Sequence, residues 1–254
     1  MNILITSGGT TEKIDAVRSI TNKSTGKLGA LIAEAFAMKK PAAEIHYICS
    51  PEAIKPRSGN IHLYKEVGVA DVHSRLLSLV NSIPFDIIVH AMAISDYALD
   101  RVTNVEILAE CLGHLDSHDY ETIYRAIDTV QDTDMQGMKK IDSSQDSLIL
   151  ILKKTPKLIG CIREAQPNCV LVGFKLLVDV SREILLDAAF GLLEKNSCNA
   201  VFANDLVDIH DADAHKGILV MTDKSFVETR SKIEAAEAIT SYTLALSMSE
   251  RERG

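Results

Sequence analysis

The chain lacks what a disulfide-stapled or zinc-bound protein needs. Its five cysteines (Cys49, Cys111, Cys161, Cys169 and Cys198) are odd in number, widely spaced and never in a C-x-x-C pair, which suits reduced thiols in a cytoplasmic protein. Positive charge is scarce. The 27 Lys and Arg face 35 Asp and Glu, a formal net charge of −8, whereas binding along a nucleic-acid backbone needs clustered basic residues. No apolar run approaches a membrane span: residues 170–178 are interrupted by Lys175, and residues 147–152 stop at Lys153-Lys154. The first residues carry no basic segment followed by a long apolar one, so no signal peptide is expected. Tryptophan is absent and aromatics make up only 5%, yet 46% of the chain is hydrophobic and 24% charged, enough for a full core and unlike a disordered composition. Internal repeats, low-complexity tracts and a dividing linker are also missing, so one domain over residues 1–254 is expected.

What is present alternates. Residues 2–6, 44–49, 85–90, 147–152, 170–174, 200–203 and 219–222 read as short buried strands. Between them lie helical stripes: Leu28, Leu31, Ile32, Ala35 and Phe36; then Val72, Leu76, Leu79 and Ile83, stopping at Pro84. Thr155-Pro156 reads as the cap and first turn of another helix, and a further helix opens at Ser181 and carries Ile184, Leu185, Ala188 and Leu192. Ile233, Ala236, Ile239, Tyr242 and Leu246 mark a closing helix. Apolar strands separated by helices predict an α/β fold, a doubly wound and mostly parallel sheet with helices on both faces. Residues 97–140 break the rhythm with many acids and are expected to hold one or two exposed helices, within a partly mobile segment around 97–143.

Several groups of residues can carry chemistry. After the first strand come Ser7-Gly8-Gly9-Thr10-Thr11 and, further on, Ser24-Thr25-Gly26-Lys27-Leu28-Gly29, opening a helix. Glycines allow close backbone approach, and hydroxyls beside free helix N–H groups suit a phosphate. The spacing is neither G-x-G-x-x-G nor a Walker A loop, so an ordinary glycine turn with a hydroxyl cap competes evenly with phosphate binding. Residues 90–97, at the carboxyl end of a strand, combine small residues with Asp96, which can accept from a substrate; a turn ending the strand explains them as well. Lysines 139, 140, 153, 154, 175 and 195 offer charge for phosphate oxygens, though surface lysines are usually only solvated. Ala203-Asn204-Asp205 fits a nucleobase edge or a turn. His90, His210 and His215 with Asp208, Asp211 and Asp213 lack the i, i+4 histidine pair of a zinc helix, so no metal site is expected from them.

Taken together and in order, these blocks resemble a known family. Residues 6–10, 14–18 and 20–29, then residues 91–97, Lys140-Ile141-Asp142-Ser143, Lys154-Thr155-Pro156, residues 173–179 and Ala203-Asn204-Asp205 are similar to the successive signatures of the phosphopantothenate–cysteine ligases, in the stand-alone bacterial form without a fused decarboxylase domain. The resemblance implies a Rossmann-like cytoplasmic homodimer with a small dimerisation arm, for which residues 205–222 are the candidate. It implies a coenzyme A biosynthesis reaction joining 4′-phosphopantothenate and L-cysteine, with CTP and Mg²⁺, through an acyl-cytidylate that releases pyrophosphate and then CMP. By position, Gly8, Gly9, Ser24, Gly26 and Gly29 would hold the nucleotide phosphates, while Phe174, Lys195 and Asn204 would contact the nucleotide. Met92, Ala93 and Asp96 would bind the acid. Asn22 would bind the acyl-nucleotide carbonyl and serve the second half-reaction, and Lys140 would stabilise charge in the first. The chain departs from the family pattern at residues 175–178, where an acidic residue is usual, and at Gly191, where a lysine is usual. A dinucleotide-dependent oxidoreductase would need a G-x-G-x-x-G turn and an acid after the second strand. A nucleotide sensor would not need Asn22, Lys140 and Asp96 together.

Overall fold

The structure is a computed structural model and describes residues 1–130, 141, 146–208 and 214–251. From the amino terminus come β1 (Asn2–Ser7), β2 (Thr11–Lys13), β3 (Ser19–Thr21), α1 (Lys27–Lys39), β4 (Glu44–Cys49) and β5 (Asn60–Lys65). Next are α2 (Val69–Ser82), β6 (Ile87–His90), β7 (Tyr97–Thr103), α3 (Val105–Gly113) and α4 (Tyr120–Thr129). The remainder runs β8 (Ile149–Lys154), α5 (Leu158–Ala165), β9 (Val170–Leu177), α6 (Arg182–Lys195), β10 (Ala200–Asp205), β11 (Ala214–Met221), β12 (Phe226–Ser231) and α7 (Lys232–Arg251). Where the sequence reads as one domain over 1–254, contacts divide the chain into two units. The first comprises Met1–Thr10, Asn22–Ile94 and Lys157–Gly254; the second comprises Thr11–Thr21 and Ser95–Pro156.

The first unit is built on an eight-stranded sheet in the order β12-β11-β10-β9-β6-β1-β4-β5. Strands β5 through β10 in that order run parallel, and β11 and β12 are antiparallel additions at one edge. Successive residues of each central strand face opposite sides and both sides are apolar, the signature of a sheet covered twice. Ile3, Ile5, Ile45, Val89, Val172 and Phe202 pack in one cluster with Ile32 and Phe36 of α1 and Ile239 of α7. Leu4, Ile88, Leu171 and Val201 pack on the other side with Leu76 of α2, Ile162 of α5 and Leu185 of α6. From β1 the chain travels outward to β4 and β5; from β6 it travels the other way, to β9 and β10. The order therefore reverses between β1 and β6, and the carboxyl ends of these two strands flank the crevice where such sheets bind ligands.

The second unit holds the β2–β3 hairpin, the β7–β8 antiparallel pair and helices α3 and α4. Asn104 Oδ1 accepts the Ile107 N–H at 2.8 Å and Asp119 Oδ1 the Thr122 N–H at 2.9 Å, capping the two helices. Asp15 accepts the N–H groups of Val17 and Arg18, and its other oxygen that of Ile141, which hold its carboxyl below the usual carboxylate range.

Three sequence expectations change. Residues 147–152 read as a strand of the main sheet, but among the described residues β8 pairs only with β7, and Leu150 and Leu152 are exposed. A two-stranded pair has no second layer of strands to bury an Ile/Leu run. Thr155-Pro156 does not open the next helix: the cap of α5 is Lys157, and the Thr155 hydroxyl donates to the Ser95 carbonyl at 2.6 Å. In residues 205–222, the candidate arm, β11 instead enters the sheet beside β10 with Ile218, Leu219 and Val220 buried, and residues 209–213 lie outside the described residues. Much of the 97–143 segment is ordered as β7, α3 and α4; residues 131–140 and 142–145 of it lie outside the described residues.

Candidate active site at the carboxyl ends of β1 and β6

The turn leaving β1 is shaped by backbone that only glycine tolerates well. Gly8 has φ +84°, and a Cβ there would overlap Ser50 Oγ and sit 2.8 Å from Ala53 Cβ. Past the strand ends, the β1–β6 pairing continues through the turn: Ala91 N–H donates to the Thr6 carbonyl at 3.1 Å, Ala93 N–H to the Gly8 carbonyl at 2.8 Å, and Thr10 N–H to the Ala93 carbonyl at 3.2 Å. Gly9 and Ala93 form a parallel bridge. Asn22 N–H then donates to the Thr10 carbonyl at 3.1 Å, and a Cβ on Gly9 would strike the Asn22 carbonyl, so the chain returning from the second unit lies directly on this turn.

The same returning segment starts α1. Gly26 is its left-handed cap at φ +70°, held from below by the Ser7 hydroxyl, which donates to the Gly26 carbonyl at 3.0 Å, and on its flank by Ile54 N–H, which donates to the Thr25 carbonyl at 2.9 Å. Gly29, one turn in, packs on Ser7. The first turn of α1 carries no acidic residue, so the positive end of the helix dipole faces no carboxylate of its own helix, and the Lys27 N–H donates to Thr25 Oγ1 at 3.4 Å. Ser24 is exposed beside it.

On the α1 face of the sheet, Phe174 lies partly buried with its ring 5.5 Å from that of Phe202. Asn204 shares the Phe202 face of β10, two residues on, and its side-chain amide hydrogen-bonds to none of the described residues. The neighbouring Asp205 points to the opposite face. Its carboxylate accepts the N–H groups of Val180 (2.8 Å), Asp179 (2.9 Å) and Val207 (3.0 Å), and these bonds, Val180 foremost, lower its pKa. Asp205 thus braces the loop after β9, a role the Ala-Asn-Asp pattern alone does not reveal.

The structure brings Gly8, Gly9, Asn22, Ser24, Gly26, Gly29, Met92 and Ala93 to the carboxyl ends of β1 and β6, and Asn204 to the carboxyl end of β10; Phe174 lies within β9, paired in register with Phe202. Lys195 is not among them. It ends α6, which leaves β9 at its carboxyl end and returns to the amino end of β10, so Lys195 sits at the opposite end of the sheet. Asp96 falls in the second unit, exposed, its carbonyl accepting the Thr155 N–H at 3.0 Å. Lys140 lies outside the described residues. Among the described residues no group of three or more His, Cys, Asp and Glu side chains could hold a metal ion. Asp208 pairs with Lys216 at 3.0 Å, while His210, Asp211 and Asp213 lie outside the described residues. Sequence reasoning missed Ser50 and Ala53, which pack under Gly8, because no spacing rule links positions more than 40 residues apart.

A family model described as the DNA/pantothenate metabolism flavoprotein C-terminal domain matches residues 1–108, which contain both glycine turns, Asn22 and the Met92–Ala93 segment. A solved structure, the DNA/pantothenate metabolism flavoprotein from Streptococcus pneumoniae, is 35% identical with a TM-score of 0.81, covering 97% of this chain and 99% of that one. The chain belongs to the DNA/pantothenate metabolism flavoprotein family. Within it, the coenzyme A biosynthesis bifunctional protein CoaBC of Thermococcus kodakarensis is 30% identical over 207 residues, 80% of this chain and 41% of that protein. The chain spans about half the length of the curated relatives it matches. The fold also extends to a Cab2 mutant solved in complex with phosphopantothenate-cysteine, at 19% identity and a TM-score of 0.67 over 98% of this chain and 86% of that one.

Proposed function

We propose that the chain is a phosphopantothenate–cysteine ligase of coenzyme A biosynthesis that activates the carboxylate of 4′-phosphopantothenate with CTP. The observation that carries this reading is the convergence of the Gly8-Gly9 turn, the N-terminus of α1 with no acidic residue in its first turn, Asn22 and the Met92–Ala93 backbone at the reversal of strand order. The first three suit a nucleotide's phosphates and a reacting acyl group, and the last suits the acid. Two of the relatives point the same way by name, one as a coenzyme A biosynthesis protein and one as bound to phosphopantothenate-cysteine.

In the first half-reaction a carboxylate oxygen attacks the α-phosphorus of CTP; a P–O bond forms to the acid and the bond to pyrophosphate breaks. Backbone N–H groups of the Gly8-Gly9 turn and the first turn of α1, with the Ser24 hydroxyl, stabilise the phosphate oxygens as charge builds on them. Phe174 and Asn204 contact the nucleoside, Asn204 through an amide that has no hydrogen-bond partner among the described residues. In the second half-reaction the cysteine amine attacks the activated carbonyl; a C–N bond forms, the C–O bond to CMP breaks, and the amine proton leaves. Asn22, whose side chain has no hydrogen-bond partner among the described residues, donates its amide to that carbonyl oxygen. Asp96 and Lys140 enter this reading through the sequence pattern, as acid-binding and charge-stabilising residues. The described residues fit Mg²⁺ only as a companion of triphosphate oxygens, the usual mode for a cation that keeps much of its water. The protein is read as a cytoplasmic homodimer; among the described residues no helix is long and apolar enough to cross a membrane.

The oxidoreductase alternative finds no support at the end of β4. There Ser50 and Ala53 are buried against the glycine turns and Glu52 is exposed, so no acid is held where a ribose would need one. The reading is tested by a pyrophosphate assay run with CTP and ATP in parallel, with phosphopantothenate, Mg²⁺ and cysteine. Release with CTP well above that with ATP is expected. Release with ATP alone refutes the choice of nucleotide, and no release with either refutes the ligase.

A further inference from the structure

We infer that Thr6 and His90 form a buried two-residue latch that holds the Met92–Ala93 backbone against the Gly8-Gly9 turn, making His90 a positioning residue for the acid substrate. The inference rests on the ligase reading. Thr6 and His90 are paired residues of β1 and β6, the central strands that flank the crevice. Both are buried, at 0% and 8% exposure. Ala91 and Ala93 donate their N–H groups to main-chain carbonyls of the β1 segment. The Met92 N–H between them donates instead to Thr6 Oγ1, at 3.3 Å, and Thr6 Oγ1 lies 2.9 Å from His90 Nδ1.

The direction of these bonds follows from what each group can do. A backbone N–H only donates, so Thr6 Oγ1 accepts from Met92. In the latch the hydroxyl proton goes to His90 Nδ1, which puts the ring's own proton on Nε2, the tautomer that the NMR test reads. Burial keeps the imidazole neutral by pulling its pKa down to about 4, so the arrangement persists across neutral pH. Without Thr6 Oγ1, a buried backbone N–H at the mouth of the crevice is left unpaired, the costly form of a lost hydrogen bond. The backbone that moves is the segment assigned to the acid. The α1 turn assigned to the nucleotide is held separately, by Ser7 and Ile54.

The test is a steady-state comparison of wild type with Thr6→Val, His90→Leu, His90→Asn and the Thr6→Val/His90→Leu double variant, alongside melting curves. Thr6→Val and His90→Leu are each expected to raise KM for phosphopantothenate about tenfold while KM for CTP stays within about twofold. The double variant is expected to be no worse than either single one. His90→Asn, whose Oδ1 can accept the Thr6 hydroxyl, should recover most of the loss. Additive effects, or both KM values rising together with the loss of melting temperature, overturn the latch. Wild type that turns over with Thr6→Val unaltered also overturns it and leaves the ligase reading intact; wild type with no pyrophosphate release overturns both. A readout free of turnover is ¹⁵N-histidine NMR of the wild-type protein at neutral pH, where His90 should be protonated on Nε2 alone. A proton on Nδ1 contradicts the latch.

Discussion

The hydroxyl of Ser7 donates to the carbonyl oxygen of Gly26 across 3.0 Å, so the last residue of β1 fixes the left-handed cap from which α1 starts. Strand end, glycine turn and helix N-terminus thereby become one rigid piece, with Ser50 and Ala53 of the neighbouring loop packed beneath it.

Gly26→Ala is expected to be destabilising, because φ +70° costs an alanine about 1–2 kcal/mol and its Cβ would lie 2.8 Å from Ala53 Cβ. KM for CTP should rise with it, since the first turn of α1 is displaced. Gly191→Ala is the matched control. Gly191 lies inside α6 with nothing within 4 Å of an added Cβ, and the change should stabilise by about 0.5–1 kcal/mol. Urea unfolding of the two variants checks the contrast in sign.

Asn204 and Asp205 are adjacent, yet their substitutions should separate cleanly. Asn204→Ala removes an amide with no partner among the described residues, so KM for CTP should rise while the melting temperature holds. Asp205→Ala deprives three backbone N–H groups of their acceptor and should lower the melting temperature first. Melting curves and CTP saturation on both variants decide it; equal melting losses would contradict the division of roles.

Asn22→Ala should divide the two half-reactions. Pyrophosphate is expected to appear in a burst of about one equivalent per site, while cysteine-dependent CMP release slows by on the order of 100-fold, the usual effect of removing one donor to a developing oxyanion. Rapid-quench measurement of both products checks this. Equal slowing of both steps would remove Asn22 from the second.

Stability should fall on acidification through His90. Its folded pKa, about 4, lies below the ordinary 6.5, so between these values the unfolded chain binds more protons than the folded one. Stability then rises with pH across this window, is full above about pH 6.5, and is lowest below pH 4, a change on the order of 3 kcal/mol. His46 acts in the same direction: its burial, and then the stacked His62, lower its pKa too. Urea unfolding from pH 7.5 to 4.5 should show the slope, and His90→Asn should flatten it.

The parallel centre of the sheet was legible because its strands are buried on both faces and read as unbroken apolar runs, as in residues 2–6 and 85–90. The edges were not. Strand β5 (NIHLYK) and β12 (FVETRS) are half polar, as edge strands facing solvent can be, and carry no strong pattern. The β8 run ILILKK misled in the other direction, being apolar without being in the core. At the site, the glycine turns stand out because glycine chemistry is visible residue by residue, whereas Asn22 stands out only through the family resemblance. The Thr6–His90 contact was invisible because its partners are 84 positions apart and joined only by strand register. Lys195 enters only through the family resemblance, and its place at the far end of the sheet follows only from α6 running back from the carboxyl end of β9 to the amino end of β10.

The central claim, that the crevice between β1 and β6 activates an acid with a nucleotide before cysteine arrives, is tested most directly by product timing. With CTP, Mg²⁺ and phosphopantothenate but no cysteine, pyrophosphate should form to about one equivalent per site with no free CMP, and added cysteine should then release CMP in step with product. Pyrophosphate that appears only once cysteine is present, or CMP release without cysteine at the same rate, would contradict the account.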